Sequence, residues 1–232
     1  MNKDMSISNA ELQRMTAGGV HIGDSVSGSI NVVSVSLQGS SSVGSVKLVA
    51  SGQSKTVKFM GVASTFQSLQ VQAGNGVDVG MDVSTVAGAM ELVGDADDVS
   101  TRGVAFADQV ALGADRTLSS STLMTLAATS GGIVASGHAV TLKARQGMYI
   151  ASDLSSAAPP APCSDPCGSL VLNADSDSAG SDGTLTVATA TTVRTNGGDM
   201  RITAWDLDLQ GSMSSTISSG LSPRAGSKLT LM

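Results

Sequence analysis

The fold of this chain is decided by the stretch Gln67-Ser-Leu-Gln-Val-Gln-Ala-Gly-Asn-Gly-Val-Asp-Val79. Apolar and polar residues alternate on both sides of the central Ala-Gly-Asn-Gly, so each half has the period of a strand with one buried face. The glycines supply a tight corner between the two strands. Two strands joined by a corner form two sides of one coil, which buries its inner face only when further coils stack on it.

Copies of the first strand recur along the chain, and each ends in Ala or Gly. The seven copies occupy residues 45–50, 68–73, 89–94, 123–128, 139–144, 169–174 and 199–204. Ala50, Ala73 and Gly94 are 23 and 21 positions apart, which matches the roughly 20-to-25-residue period of a solenoid coil. The small last residue suits the inner corner of a coil, where a large side chain would not fit.

The composition favours a thin core without large rings. Hydrophobic residues make up 41% of the 232 positions, but aromatic residues make up only 2%. The 27 glycines supply turns at short intervals, and no stretch keeps the i, i+3, i+4, i+7 spacing of a long amphipathic helix. The sequence therefore predicts an all-β fold, a right-handed parallel β-helix (β-solenoid) of about 9–10 coils that forms a single module over residues 1–232.

Residues 155–168 interrupt the repeat with Ser155-Ser-Ala-Ala-Pro-Pro-Ala-Pro-Cys-Ser-Asp-Pro-Cys-Gly168. Proline cannot donate to a strand ladder, so we expect this Pro-rich run to be a loop inserted into the coil. A turn between Cys163 and Cys167 would bring the two sulfurs together, and we predict a local disulfide in an oxidising compartment. Two free thiols are the alternative. A zinc site would need further ligands, and only His21 and His138 exist.

Charge and hydropathy exclude two classes of partner. The chain has 13 basic and 19 acidic side chains and a net charge of −6, so we expect no nucleic-acid partner. It has no apolar run of 18 residues, and we expect no membrane insertion. The first residues lack the apolar stretch of a secretory signal, and the repeat stops abruptly at both ends. The chain is therefore either a cytosolic protein or a fragment of a longer tandem-repeat chain, and we expect the fragment.

Two acidic clusters follow repeat strands directly and are the candidate metal ligands. They comprise Asp95, Asp97 and Asp98 after the third copy, and Asp175, Asp177 and Asp182 after the sixth. Carboxylates two residues apart at a strand end can converge on one hard cation, so calcium is the candidate cofactor. The alternative is that Asp, Ser and Gly are the ordinary residues of turns.

A catalytic site is not predicted. Asp206 and Asp208 alternate with Leu207 and Leu209, and solenoid glycosidases place acidic pairs on an outer face in a comparable way. The simpler interpretation is a strand with both leucines inward and both carboxylates in solvent. Trp205 precedes this strand and could either cap a corner of the coil or stack on a sugar. Capping a corner is a structural role, and it is the commoner of the two.

Two segments carry a family resemblance, residues 67–79 quoted above and Ala139-Val-Thr-Leu-Lys-Ala-Arg-Gln-Gly-Met-Tyr-Ile150. They resemble the repeats of filamentous haemagglutinin-type adhesins, in which alternating apolar residues, Ala, two polar residues and Gly precede a second alternating stretch. From Ser6 onward the chain also resembles one unit of very large tandem-repeat surface proteins predicted in bacteria and algae. The resemblance implies an extracellular or cell-surface β-solenoid used for adhesion or as a filament, and it supplies no catalytic residues.

Three functions remain open at this point. The first is a structural, non-catalytic segment of a fibre, whose partners are neighbouring repeat units or copies of itself, end to end. The second is an adhesive module that binds calcium or surface glycans. A groove, exposed aromatic residues or a bound ion would support this function. The third is a carbohydrate-active enzyme, which requires acidic and basic side chains clustered on one outer face.

Overall fold

A computed structural model describes residues 3–100, 107–156, 168–180, 182–195, 197–215 and 229–231. Over these residues the chain winds into a parallel β-helix, which confirms the predicted all-β class. Successive coils pair side by side in three long parallel sheets. The largest sheet has nine strands, one from each coil, in agreement with the predicted number of coils.

The first two coils carry a single-turn helix on their third side. They consist of β1 (Met5–Ser8), α1 (Asn9–Leu12), β2 (Val20–Asp24), β3 (Ile30–Val33), α2 (Leu37–Ser40) and β4 (Val46–Ala50). Both helical turns begin at a serine. The backbone N–H and the hydroxyl of Ser8 donate to Glu11 Oε2 at 2.7 and 2.8 Å, and the N–H of Gly39 donates to Ser36 Oγ at 3.1 Å. Such capping contacts favour a helical turn over a strand, and the repeat pattern did not predict them.

From the third to the eighth coil, each coil has three strands, and the described part of the ninth has two. The third to sixth coils contain β5 (Val57–Met60), β6 (Ser64–Phe66), β7 (Leu69–Ala73), β8 (Val77–Val79), β9 (Val83–Thr85), β10 (Met90–Val93), β11 (Val110–Ala111), β12 (Arg116–Ser120), β13 (Met124–Ala127), β14 (Ile133–Val134), β15 (Val140–Ala144) and β16 (Met148–Ile150). The remaining coils contain β17 (Leu154–Ser155), β18 (Leu170–Asn173), β19 (Thr184–Val187), β20 (Thr192–Arg194), β21 (Met200–Thr203), β22 (Asp206–Leu209), β23 (Ser212–Ser214) and β24 (Leu229–Leu231).

Sheets 1 and 2 begin in the first coil, and sheet 3 begins in the third. Sheet 1 has the order β1-β3-β5-β8-β11-β14-β17-β20-β23, sheet 2 the order β2-β4-β7-β10-β13-β16-β19-β22, and sheet 3 the order β6-β9-β12-β15-β18-β21-β24. In the first two coils α1 and α2 take the place of a sheet 3 strand. Within the described residues, no helix is long and apolar enough to cross a membrane.

The core consists of rows of inward side chains stacked in register from coil to coil. One row of sheet 1 is formed by Ile30, Val57, Val77, Val110, Ile133, Leu154 and Val193, none more than 1% exposed. Stacking at about 4.8 Å lets each aliphatic side chain pack on one of similar shape. Two rings also enter this core: Phe59 and Phe66 pack edge to face with centroids 6.5 Å apart.

The seven repeat copies belong to two different sheets. The first four correspond to β4, β7, β10 and β13 of sheet 2, and the last three to β15, β18 and β21 of sheet 3. The repeat pattern passes from sheet 2 to sheet 3 between Ala128 and Ala144. These two alanines are therefore separated by only part of a coil. The predicted inner corners are confirmed at Ala50, Ala73 and Ala174, which are 0% exposed.

The predicted Pro-rich insertion falls mostly outside the described residues. Its first residue, Ser155, is the last residue of β17, and its last, Gly168, lies just before β18. Cys163 and Cys167 lie outside the described residues, so the disulfide remains a prediction.

Candidate functional site

Asp95 is the most deeply buried of the predicted calcium ligands, at 3% exposed. It follows β10 at the corner where the chain turns from sheet 2 to sheet 1. Its Oδ2 accepts a hydrogen bond of 2.8 Å from the backbone N–H of Ser130 in the next coil. Its Oδ1 is buried and has no hydrogen-bond partner among the described residues. One carboxylate oxygen is thus fixed by backbone, and the other remains available to a ligand.

The other two acids of the first cluster are less enclosed. Asp97 is half-buried; its Oδ1 accepts a 3.4 Å hydrogen bond from the N–H of Val99, and its Oδ2 is buried without a described hydrogen-bond partner. Asp98 is exposed and has a φ of 52°, the left-handed backbone of a tight turn. Asp95 and Asp97 therefore keep a buried acceptor, whereas Asp98 faces solvent.

The second acidic cluster lies at a different corner, between sheets 3 and 2, after β18. Asp175 is half-buried, and its Oδ1 has no hydrogen-bond partner within the described ranges. Asp177 and Asp182 are exposed, and Asp177 Oδ1 accepts a 3.3 Å hydrogen bond from the N–H of Ala179. The exposure of Asp177 and Asp182 is that of a solvated turn, whereas Asp175 keeps one buried acceptor.

The six carboxylates do not come together as one group, because their two corners belong to different coils. In the described part of the chain, no three His, Cys, Asp or Glu side chains converge as a metal-binding group. A calcium ion at either corner would therefore also need amide, carbonyl or water oxygens.

Two polar residues at the first corner were missed by the sequence interpretation. Asn75 and Asp108 are 5% and 3% exposed. Each lies two positions before a sheet 1 strand, and those strands are in register through Val77 and Val110. The signal in the sequence that could have identified them is an Asn or Asp two residues before an inward valine. Asp108 was overlooked because a long segment separates it from β10, and only acids directly after repeat strands were considered.

At the C-terminal end of sheet 2, core-side residues of the last described strand are exposed. Leu207 and Leu209 in β22 are in register with Leu185 and Val187, so both face the core side as predicted. Leu185 and Val187 are 0% exposed, but Leu207 and Leu209 are 36% and 44% exposed. The difference arises because β22 has no further described strand beyond it.

The outward side of β22 carries Asp206 and Asp208. Their register neighbours in β19 are Thr184 and Thr186, so no cationic side chain adjoins them in the preceding strand. Asp208 Oδ2 accepts a 2.9 Å hydrogen bond from Gln210 Nε2. The pair lies on the outer face that the alternation predicts.

Trp205 lies at the same end of the molecule and is 61% exposed. Together with Ile202, Ala204, Leu207 and Leu231 it lines an open pocket of about 330 Å³. We call Trp205, Leu207, Leu209 and Leu231 the C-terminal face. It is an apolar surface at the end of the stack.

The two histidines are far apart in the coil order. His21 lies in β2 and is exposed, as its alternation with apolar residues predicts. His138 precedes β15, and its Nδ1 lies 3.7 Å from Asp115 Oδ1.

A polar groove of about 620 Å³ lies over the later corners between sheets 2 and 1. Its lining includes Gln109, Ser130, Asp153, Thr191 and Arg194. The N–H of Thr192 donates to Asp153 Oδ1 at 2.7 Å, and Arg194 Nε donates to Ser155 Oγ at 3.4 Å. These contacts tie the lining side chains to the neighbouring coil.

Comparison with known proteins gives no relative: no family model, no curated protein and no solved structure matches the chain. The resemblance to filamentous haemagglutinin-type repeats therefore remains a prediction.

Proposed function

We propose that this chain is a non-catalytic structural module of an extracellular or cell-surface fibre, stacked end to end with neighbouring repeat units or with copies of itself. The observation that carries the proposal is the C-terminal face, where Leu207 and Leu209 continue fully buried core rows but are 36% and 44% exposed. An unpaired strand edge with exposed core residues is a template for another strand.

The opposite end of the stack supports the same arrangement. In β2, Val20 and Ile22 face the core but are only half-buried, and Met5 in β1 is 40% exposed. The two ends therefore offer apolar strand edges of the same sheets. Burial of both surfaces would favour head-to-tail association.

Charge along the outward face of sheet 2 agrees with this polarity. His21 and Lys47 lead the outward row, and the register carries that row through to Asp208 in the last strand. In a head-to-tail stack, the polar His21 of one unit would adjoin Asp208 of the next, with the cationic Lys47 one strand further along. Such complementarity favours one orientation of association.

Trp205 provides the test, because it is the only tryptophan and belongs to the C-terminal face. As the concentration of the full chain rises, we expect sedimentation velocity to detect larger species and Trp205 emission to shift to shorter wavelength. Leu209→Lys should suppress both changes, since it places a charge in the contact.

A matched control is Leu123→Lys. Leu123 is 44% exposed, as is Leu209, but it lies in the middle of the stack. The proposal fails if the wild-type chain stays monomeric with unchanged emission, or if the two lysine variants behave alike.

A further inference from the structure

The corner between sheets 2 and 1 contains buried oxygen atoms that the surrounding donors do not satisfy. Asp95 Oδ1, Asp97 Oδ2 and Asn75 Oδ1 are buried and lack a hydrogen-bond partner within the described residues. All three atoms are acceptors. Buried acceptors and buried charges are costly without a partner, so native proteins rarely leave several in one place.

The register of the coils brings these residues together. Asn75 and Asp108 each lie two positions before the paired residues Val77 and Val110, and the N–H of Val77 donates to the carbonyl of Gln109 at 2.7 Å. Asp108 therefore lies beside Asn75 in the adjacent coil, at the point where the chain enters sheet 1.

Asp95 reaches the same point from the sheet 2 side. Its Oδ2 accepts from the N–H of Ser130, and a Cβ placed on the next residue, Gly131, would lie 2.4 Å from the carbonyl oxygen of Asp108. Asp95 and Asp108 thus pack on two consecutive residues of the neighbouring coil. They flank one corner, although the segment 96–107 separates them in sequence.

From this juxtaposition we propose that the corner binds one calcium ion, with Asp95, Asp108 and Asn75 as side-chain ligands. Calcium takes six to eight oxygen ligands, typically carboxylate, amide and backbone carbonyl oxygens together with water. Two carboxylates offset the ion's charge, and the amide oxygen adds a neutral ligand.

The composition of the site agrees with the other findings. A set of two carboxylates and one amide is compatible with the lack of three convergent acidic, His or Cys side chains in the described ranges. Soft metals are disfavoured because every candidate ligand is an oxygen. The ion would join three successive coils through Asn75, Asp95 and the Ser130 contact.

The site is independent of the end-to-end proposal and is tested on the full chain. Isothermal titration of the calcium-depleted protein with calcium chloride should give one ion per chain, and calcium should raise the melting temperature. Asp95→Asn, which keeps the side-chain shape, should weaken calcium binding by about tenfold or more, because ligand charge sets affinity.

The matched control is Asp177→Asn, which removes the same charge from the exposed turn of the second cluster. It should bind calcium with wild-type affinity to within about twofold. Circular dichroism in calcium-free buffer establishes that both variants fold. If Asp95→Asn does not fold, Asn75→Ala takes its place and should show a comparable loss.

Three results would overturn the proposal. The first is a wild-type chain that binds no calcium and gains no thermal stability at millimolar calcium. The second is an equal loss of binding in Asp177→Asn. The third is an equal rise in melting temperature with magnesium, which would indicate general charge screening rather than a built site.

Discussion

Gly94 occupies a position that alanine fills in the neighbouring coils of sheet 2. Ala73 and Ala128 follow the residues paired with Val93, and both are 0% exposed. At Gly94, however, an added Cβ would lie 2.4 Å from the carbonyl oxygen of Gln109. The chain re-enters sheet 1 directly against this corner, so the local repeat pattern and the local packing favour different residues.

Gly94→Ala should therefore destabilise the protein, although the repeat pattern favours alanine. We expect a loss of about 1–3 kcal/mol in the free energy of unfolding, the usual range for overpacking a tight site. Urea denaturation measures the loss. Gly113→Ala is the control, because a Cβ there meets nothing within 4 Å, and its effect should stay below about 1 kcal/mol. Equal stability of Gly94→Ala and wild type would contradict the packing argument.

At the scale of elements, the helical turn α1 replaces a sheet 3 strand, and the side chain of Glu11 caps its first residues. The backbone N–H of Ser8 and the Ser8 hydroxyl both donate to the carboxylate of Glu11. These two contacts, of which the backbone one has the larger effect, hold the pKa of Glu11 below its ordinary value of 4.5. Because the folded pKa is depressed, this stabilisation is present above pH 4.5. It is lost as the pH falls through the folded pKa.

A carboxyl titration by NMR tests this capping contact. The midpoint for Glu11 should lie below 4.5, and Ser8→Ala should raise it without restoring 4.5, because the backbone donor remains. Asp24 is an internal control: its pKa is lowered by the Ser27 hydroxyl and the Val26 N–H, and its midpoint should not change in Ser8→Ala. A Glu11 midpoint at 4.5 in the wild type would exclude the contact in solution.

The elements also show why the strands were easier to predict than the corners. Period-2 alternation identified strands such as β7 and β15 because an inward and an outward face are encoded residue by residue. Two strands of sheet 3 end at Thr85 and Ser120, where other repeat strands end at alanine. The hydroxyls of these residues donate to the carbonyls of Gly88 and Leu123 at 2.6 and 2.9 Å. Such corners satisfy buried groups in several ways, so no single residue pattern predicts them.

For the whole molecule, stability follows from the stacking of coils on their neighbours. A central strand such as β13 is paired on both sides, whereas β22 and β23 each have one described neighbour. In a stack of this kind, opening begins at the ends, where fewer interfaces must break.

Hydrogen exchange should therefore form a gradient along the stack. At a concentration where the chain is monomeric, we expect backbone amides of β13 and β15 to exchange more slowly than those of β22 and β23, by mass spectrometry of peptic peptides. Protection of β22 should rise as end-to-end association proceeds. Uniform exchange along the monomeric chain would indicate a single cooperative unit and contradict the gradient.

The sequence by itself determined the strands, the aliphatic core and the coil architecture, because alternation and small corner residues are local properties of the chain. It also placed Asp95 at a strand end and Leu207 and Leu209 on an inward face. Only the tertiary structure decided which sheet each repeat joins, that Asn75, Asp95 and Asp108 lie in adjacent coils at one corner, and that an added Cβ at Gly94 would press on the carbonyl of Gln109. The physical reason is that contacts between coils depend on the register across corners of unequal length, which no short stretch of sequence encodes.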